Sequence, residues 1–343
     1  MDLKTRTFKA FNTINSVSVC GVPNGCAESA LDAVVERCAY YERLFSHTHP
    51  ESSLVRVNQA GGAPVKVEPD LADLVRASLE YCAASEGLFD ITMGPVVALW
   101  DFHQAKGHTG NGGAGLPAGA PSGTDGGALH GSGAAIPSAD ALAAACAHVD
   151  WRGVHVKGRT IQLDDPQATL VLGGVAKGYI ADGLVALLQE RDVCHGVVNL
   201  GGNAVVFGGK PDGSLWNVGL RAPRSSAQAE EQSFAVVQLA SGSVVTSGIY
   251  ERCFTAPDGT LFHHILDPHT GMPAETDLAS VSLISDRSLD GDGYTTALVA
   301  MGLQRALAFV EELLGCEAVF VTRDNLVYAT KGIGTEVPFD LLV

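Results

Sequence analysis

The stretch FAVVQLASGSVVT, residues 234–246, decides the fold. Its two Val-rich apolar runs, Phe234 to Leu239 and Ser243 to Thr246, are separated by a short turn that holds Gly242, which reads as two strands joined by a tight connection. Short β-type runs of the same kind lie upstream at Val154 to Val156, Thr160 to Leu163, Thr169 to Leu172, His195 to Asn199 and Trp216 to Leu220, and downstream at Leu278 to Ile284. Helices are fewer and longer. Ala27, Leu31, Val34, Val35, Cys38 and Phe45 recur at helical spacing, and Leu71, Leu74, Val75, Leu79 and Cys82 do so again. Pro137-Ser138 opens an alanine-rich helix, another starts near Ala176, and the chain closes with a helix near Thr295 to Leu314 and a hairpin-like pair. Between the first two helices, Phe45 to Asn58 reads as a polar loop. Runs of strands with a few long helices predict an α+β protein, antiparallel sheets packed with helices on one face. No strict βαβ alternation supports a dinucleotide-binding doubly wound sheet.

Outward from that frame, 343 residues with 46% hydrophobic content exceed the size at which a single core stops growing, so one large two-lobed domain over 1–343 is expected. From Gln104 to Ala135 the chain is rich in Gly, Ala, Ser and Pro with almost no large apolar side chain, a flexible surface insertion that acts as a spacer or as a lid. The net charge of −16, from 38 acidic and 22 basic residues, and the lack of a Lys/Arg-rich run argue against nucleic acid or an anionic membrane as a partner. Met1 to Phe11 alternates polar and apolar residues, so neither a signal peptide nor a membrane span is read there. As it stands the sequence reads as cytoplasmic, and as periplasmic if a leader has been removed. The eight cysteines are scattered without a Cys-x-x-Cys pair, which fits buried reduced thiols better than a zinc site or a disulfide scaffold.

Chemistry concentrates in a few segments. Leu172-Gly173-Gly174-Val175-Ala176-Lys177-Gly178 runs from an extended stretch through two glycines into a helix. Backbone can approach a ligand closely there, and free N–H groups at a helix start together with Lys177 suit a pyrophosphate, although the same pattern also serves as plain loop chemistry. In Asp290-Gly291-Asp292-Gly293-Tyr294-Thr295-Thr296, Asp292 and Thr296 are spaced to share one face of a helix and offer the hard oxygens that Mg²⁺ or Ca²⁺ prefers; the bland reading is an Asp N-cap followed by a buried Thr. His263-His264-Ile265-Leu266-Asp267-Pro268-His269-Thr270-Gly271 ends a strand in a turn, so the two adjacent His point to opposite faces and one of them faces inward, as a base, an acid, a phosphate donor or a structural His. The turn geometry scatters these ligands too widely for zinc.

Taken together and in this order, the segments resemble the ApbE family of FAD:protein FMN transferases. The blocks that carry the resemblance are Phe45-Ser46 with Ser52 to Asn58; Gly87-Leu88-Phe89-Asp90-Ile91-Thr92 with Gly94-Pro95 and Leu99-Trp100; Gly173 to Tyr179 with Asp182; Asn199-Leu200-Gly201-Gly202-Asn203; Thr246-Ser247-Gly248 with Tyr250-Glu251-Arg252; His264-Ile265 with Asp267-Pro268 and Thr270-Gly271; and Asp292 with Thr296-Ala297. The resemblance implies a T-fold-related architecture and an enzyme that uses Mg²⁺ and takes FAD as a substrate. It would move FMN to a Thr or Ser hydroxyl of an acceptor flavoprotein subunit and release AMP. The resemblance further implies Asp292, Thr296 and the Gly174 carbonyl as Mg²⁺ ligands, and His264 and Lys177 as catalytic groups. Phe11, Thr48, Leu88, Phe89, Asp90, Val171, Gly173, Gly201, Gly202, Ser247, Gly248 and Ile265, with Lys177 and His264, are implied as FAD contacts. Three positions depart from the family pattern: Val171 where an acidic residue is usual, Phe11 where Met is usual, and Thr48 where an aromatic is usual. Two other outcomes stay open from sequence, attack by water to give FMN and AMP, and flavin binding without turnover.

Overall fold

The computed structural model describes residues 3–100, 102, 136–221 and 233–342, so the expected insertion at Gln104 to Ala135 lies outside the described residues. The described chain opens with a hairpin, β1 (Lys4–Ala10) and β2 (Thr13–Cys20). Phe11 stands in the turn between them, where Phe11 and Asn12 both have positive φ, 54° and 58°. That left-handed pair matches the twist of the flanking strands, at a steric cost to Phe11 that glycine would not bear.

The two helices read from apolar spacing are α1 (Asn24–Phe45) and α3 (Pro69–Ala84). Between them lie α2 (Ser53–Asn58) and β3 (Val65–Lys66). The helix α2 corrects the expectation of a polar loop from Phe45 to Asn58. Ser52 caps it, its hydroxyl accepting the Leu54 N–H at 3.1 Å, and Leu54, Val55 and Val57 are buried. A single apolar turn of this length is too short for periodicity to separate from loop. The short α4 (Gly94–Val97) follows, then α5 (Ala139–Cys146), opened by Ser138 accepting the Ala141 N–H at 3.2 Å, and the strands β4 (Val154–Lys157) and β5 (Thr160–Leu163).

The strand expected at Thr169 to Leu172 is extended chain outside any named strand: the Val171 N–H donates to the Ile91 carbonyl at 2.8 Å and the Gly94 N–H to the Thr169 carbonyl at 3.1 Å. It leads into α6 (Ala176–Gln189). A run of strands then follows: β6 (His195–Leu200), β7 (Asn203–Phe207), β8 (Trp216–Arg221), β9 (Ser233–Leu239), β10 (Gly242–Gly248), β11 (Cys253–Thr255), β12 (Leu261–His263) and β13 (Leu278–Ser285). The closing helix expected at Thr295 to Leu314 is two helices, α7 (Ser288–Met301) and α8 (Leu303–Glu311), because Gly302 takes φ 74° between them. The strands β14 (Cys316–Thr322), β15 (Val327–Ala329) and β16 (Phe339–Leu341) end the chain.

Eight strands form one sheet in the order β1-β2-β6-β7-β10-β13-β14-β15, and each neighbouring pair is antiparallel. Alternation along its central strands assigns the two faces. Val244, Ile284 and Val319 pack with Trp216, Ala235 and Val237 of the small sheet β16-β9-β8, while Val281, Leu283 and Phe320 pack with Leu298, Val299 and Val310 of α7 and α8. β13 is therefore buried at every position. A separate cluster joins Val17, Val198 and Leu200 of the sheet to Leu31 and Val34 of α1 and Ile180 and Leu184 of α6. The structure is the expected α+β arrangement of antiparallel sheets with helices. Among the described residues no helix is long and apolar enough to cross a membrane.

Candidate active site

α7 is the spine of the site, although its sequence is a poor helix former. Gly291 and Gly293 remain in it because neighbours press in: an added Cβ would lie 2.8 Å from Val245 Cβ at Gly291 and 2.5 Å from the Tyr81 ring at Gly293. Packing, not propensity, holds this helix. Its N-terminus is capped from a distance, since both Asp182 carboxylate oxygens accept backbone N–H groups, from Ser288 at 2.8 Å and from Leu289 at 3.0 Å. Asp292 is therefore not an N-cap; it lies within the helix and is buried.

α6 meets α7 backbone to backbone at Gly178, where an added Cβ would lie 2.7 Å from Leu289 Cα. The close approach lets the Gly178 N–H donate to Asp292 Oδ2 at 2.6 Å. Loss of water raises the Asp292 pKa, and Lys177, the Gly178 N–H and Asn203 pull it back toward the charged form. One residue face along, Thr296 approaches the double-glycine turn: a Cβ on Gly174 would lie 3.8 Å from Thr296 Oγ1 and 3.3 Å from the Phe89 ring, while one on Gly173 would meet nothing within 4 Å. The turn before α6, Thr296 in the middle of α7 and the Phe89 ring thus converge on one place, and Gly173 and Gly174 are exposed there.

His264 follows β12 directly. Burial pushes its pKa down to about 3, helped by the positive charges of Arg252, His263 and Lys177, so the ring is neutral across the physiological range, and its buried Nδ1 has no hydrogen-bond partner. His263 is buried as well, with a pKa pushed down to about 4 by burial and, more weakly, by Arg323. His263 is buried and His264 half-buried, where one inward His was expected, and His264 is the one that senses Lys177.

The other positions named from the sequence have varied surroundings. Ser247 donates to Thr295 Oγ1 at 2.8 Å, beside Thr296, and Gly248 ends β10 against the Tyr250 ring. Gly201 and Gly202 form the β6–β7 turn with φ of 62° and 98°, and a Cβ on Gly201 would sit 2.6 Å from Thr13 Oγ1, which brings this turn beside Phe11. Ile265 is a core wall, and Leu88 packs on the main core. Asp90 is committed within the protein: it accepts the Thr92 N–H at 2.7 Å, the Thr92 hydroxyl at 2.6 Å and the Trp151 N–H at 3.2 Å, which steadies the loop that carries Phe89. Val171 contributes backbone pairing to Ile91. Thr48 is exposed on the loop after α1, where its hydroxyl lies 3.3 Å from Ser46 Oγ.

Two further residues enter with the structure. Asn203 follows the Gly201-Gly202 turn, its oxygen accepting the Ser288 hydroxyl at 2.6 Å and its buried amide nitrogen standing near Asp292, where it favours the carboxylate. Arg252 stands beside His264. Each was part of a quoted block, and neither has a local pattern that marks it as facing this cleft. The oxygen donors on hand, the Asp292 carboxylate, the Thr296 hydroxyl and the Gly174 carbonyl, suit a hard divalent cation. Among the described residues no group of three or more His, Cys, Asp or Glu is placed to hold a metal, so no zinc-type site is formed by them.

This architecture has counterparts among known proteins. The model of the ApbE family matches residues 11–320. The FAD:protein FMN transferase of Treponema pallidum is 34% identical over 327 residues, covering 91% of this chain and 82% of the relative. One from Klebsiella pneumoniae is 32% identical over 303 residues, with coverage of 87% and 84%. Among solved structures, the ApbE protein of Thermotoga maritima superposes with a TM-score of 0.79 at 25% identity, covering 96% of this chain and 97% of that one. The apo form of the Pseudomonas stutzeri flavinyl transferase ApbE gives 0.77 at 27% identity, with coverage of 97% and 96%. The protein is a transferase by these likenesses. The chain belongs to the ApbE family.

Proposed function

We propose that the protein moves the FMN half of FAD to a Thr or Ser hydroxyl of an acceptor flavoprotein subunit, with Mg²⁺ as cofactor and AMP as the leaving group, and that residues 1–343 act as one unit. The observation that carries this reading is the buried Asp292 carboxylate, gripped by the Gly178 N–H at 2.6 Å and facing Lys177 beside the open double-glycine turn. A carboxylate this enclosed is a poor choice for fold stability alone and a good one for a bound cation.

Asp292, the Thr296 hydroxyl and the Gly174 carbonyl would hold Mg²⁺. When bound, the ion supplies charge neutralisation on the pyrophosphate. Lys177 binds the same pyrophosphate and stabilises charge that develops on the departing phosphate, whereas the Ala176 and Gly178 N–H groups expected to serve there are already given to the Leu172 carbonyl and to Asp292. His264 takes the proton of the acceptor hydroxyl. As that oxygen bonds to the FMN phosphorus, the P–O bond to AMP breaks and its electron pair leaves with the AMP phosphate. Without substrate, burial and the neighbouring cations keep the His264 ring a weak base. A pyrophosphate lying among those cations cancels their field, so the base gains strength when there is a phosphoryl group to transfer. Phe89 lines the flavin ring and Ile265 backs it, with Phe11, Thr48, Leu88, Val171, Gly201, Gly202, Ser247 and Gly248 along the rest of the FAD path.

The test is direct. Purified protein is mixed with FAD, Mg²⁺ and a flavoprotein subunit that carries an acceptor Thr, with and without a chelator. An FMN-sized mass increase on the subunit that the chelator abolishes supports the reading; FMN and AMP released without labelling point to water as the acceptor, and intact FAD overturns turnover altogether.

A further inference from the structure

Among the described residues, the positive charge of Arg252 is offset only by its sequence neighbour Glu251. It precedes β11 as His264 follows β12, and these strands pair Cys253 with His263, so Arg252 and His264 stand directly opposite one another. The His264 N–H donates to the Arg252 carbonyl at 3.0 Å. Residues opposed in an antiparallel pair share a face with Cβ atoms about 5 Å apart, which puts the guanidinium stem and the imidazole on the same side of the hairpin. Lys177 approaches that ring from α6, and both cations act on it. Among the described residues neither Lys177 nor Arg252 is in an ion pair.

The two cations differ in what compensates them. Lys177 has the charge of Asp292 nearby. Arg252 has only its sequence neighbour Glu251 as a charge influence, while surrounding protein strips enough water from it to lower its pKa. It is nonetheless exposed on its open side. A partly desolvated cation without a partner is unfavourable unless a ligand supplies the anion.

We propose that Arg252 is a substrate-binding residue of this site and that its guanidinium grips the non-bridging oxygens of the phosphoryl group being transferred, across from Lys177. The assignment rests on the FMN-transfer reading above and adds the group that holds the FMN-side phosphate. A planar guanidinium offers paired N–H donors that fit two oxygens of one phosphate, and a lysine offers only a point charge. His264 then sits next to the phosphate that its acceptor hydroxyl must attack.

The experiment measures binding of riboflavin, FMN and FAD by flavin fluorescence, together with kcat and KM for labelling of the acceptor, for the wild type, Arg252→Ala and Arg252→Lys. Arg252→Ala should weaken FMN and FAD about 10- to 100-fold, the scale of lost hydrogen bonds to a charged group, and lower kcat as well. Riboflavin, which has no phosphate, should bind as before, and Arg252→Lys should recover part of the affinity but not the full rate. Equal FMN affinity in wild type and Arg252→Ala, or an equal loss for riboflavin and FMN, overturns the assignment. The two readings fail separately: a wild type that neither binds nor transfers FMN sinks the function, whereas a wild type that labels its acceptor alongside an Arg252→Ala with unchanged kcat and KM sinks only Arg252.

Discussion

Gly178 and Asp292 are 114 positions apart in the chain and are joined by a backbone hydrogen bond of 2.6 Å, from the Gly178 N–H to Asp292 Oδ2. The bond exists because Gly178 has no side chain where α6 crosses the start of α7, at the Ser288 carbonyl and Leu289 Cα. The same contact therefore packs two helices and orients the carboxylate on which the proposed metal site depends.

Replacing Gly178 by Ala should break both functions at once. The new Cβ would lie 2.7 Å from Leu289 Cα, and backbone cannot rotate away as a flexible side chain does. Overpacking of this kind costs about 1–3 kcal/mol, and the forced separation of the helices lengthens the bond to Asp292. Urea denaturation should show the stability loss, and acceptor labelling should fall by more than the fraction unfolded. Wild-type stability in this variant would show that the helix crossing is looser than described.

Asp292→Asn separates chemistry from fold. Burial already disfavours the charged form of this group, so its neutral isostere should keep or raise the melting temperature. Metal-dependent transfer should fall at least about a hundredfold, the scale for loss of one electrostatic stabiliser. The thermal shift that Mg²⁺ produces in the wild type should vanish. A variant that retains the Mg²⁺-induced shift would move the metal elsewhere.

The sequence made the strands and the long amphipathic helices legible because their periods are carried by residues a few positions apart, as in Leu71, Leu74, Val75 and Leu79. It also pointed to the Gly173-Gly174 turn and to the Asp292/Thr296 spacing, both local patterns. What escaped was set by distance. The start of α7 is fixed by the Asp182 carboxylate, 106 residues upstream of Ser288, so no local capping residue announced it and Asp292 could be taken for the cap. The break at Gly302 was hidden inside an apolar run, and α2 was a single turn. Asn203 and Arg252 owe their places to strand register, with Asn203 paired to Leu200 and Arg252 opposite His264, and register is a property of two segments at once.

For His264, the free protein offers a measurement independent of turnover. A ring whose pKa is pushed down to about 3 should remain neutral at pH 5, where an ordinary histidine is charged, and imidazole nitrogen shifts in NMR read this directly. Because the folded value lies below the unfolded one, the stability associated with this group is present above about pH 6.5 and is lost as pH falls toward 3. His264→Ala should lower kcat by about 10²- to 10⁴-fold with little change in FAD affinity, and an affinity loss alone would reassign the ring to binding.

Asp182 yields the sharpest pH prediction because its environment works against its charge. Burial raises its pKa from 3.8 to about 6, while the Ser288 and Leu289 N–H groups and Arg287 oppose that rise. A folded pKa above the unfolded one means that the stabilising contribution is full below about pH 4 and is lost as pH climbs through 6. Over that window the wild type should lose stability on the order of 3 kcal/mol from this group. Asp182→Asn removes the titration but keeps only one oxygen to accept the two N–H groups. It should therefore be markedly less stable than the wild type at pH 4.5 and close to it at pH 7.5. Urea denaturation of both proteins across this range checks the claim. Parallel profiles would mean that Asp182 stays solvated in the folded protein and that the start of α7 is held by something other than this carboxylate.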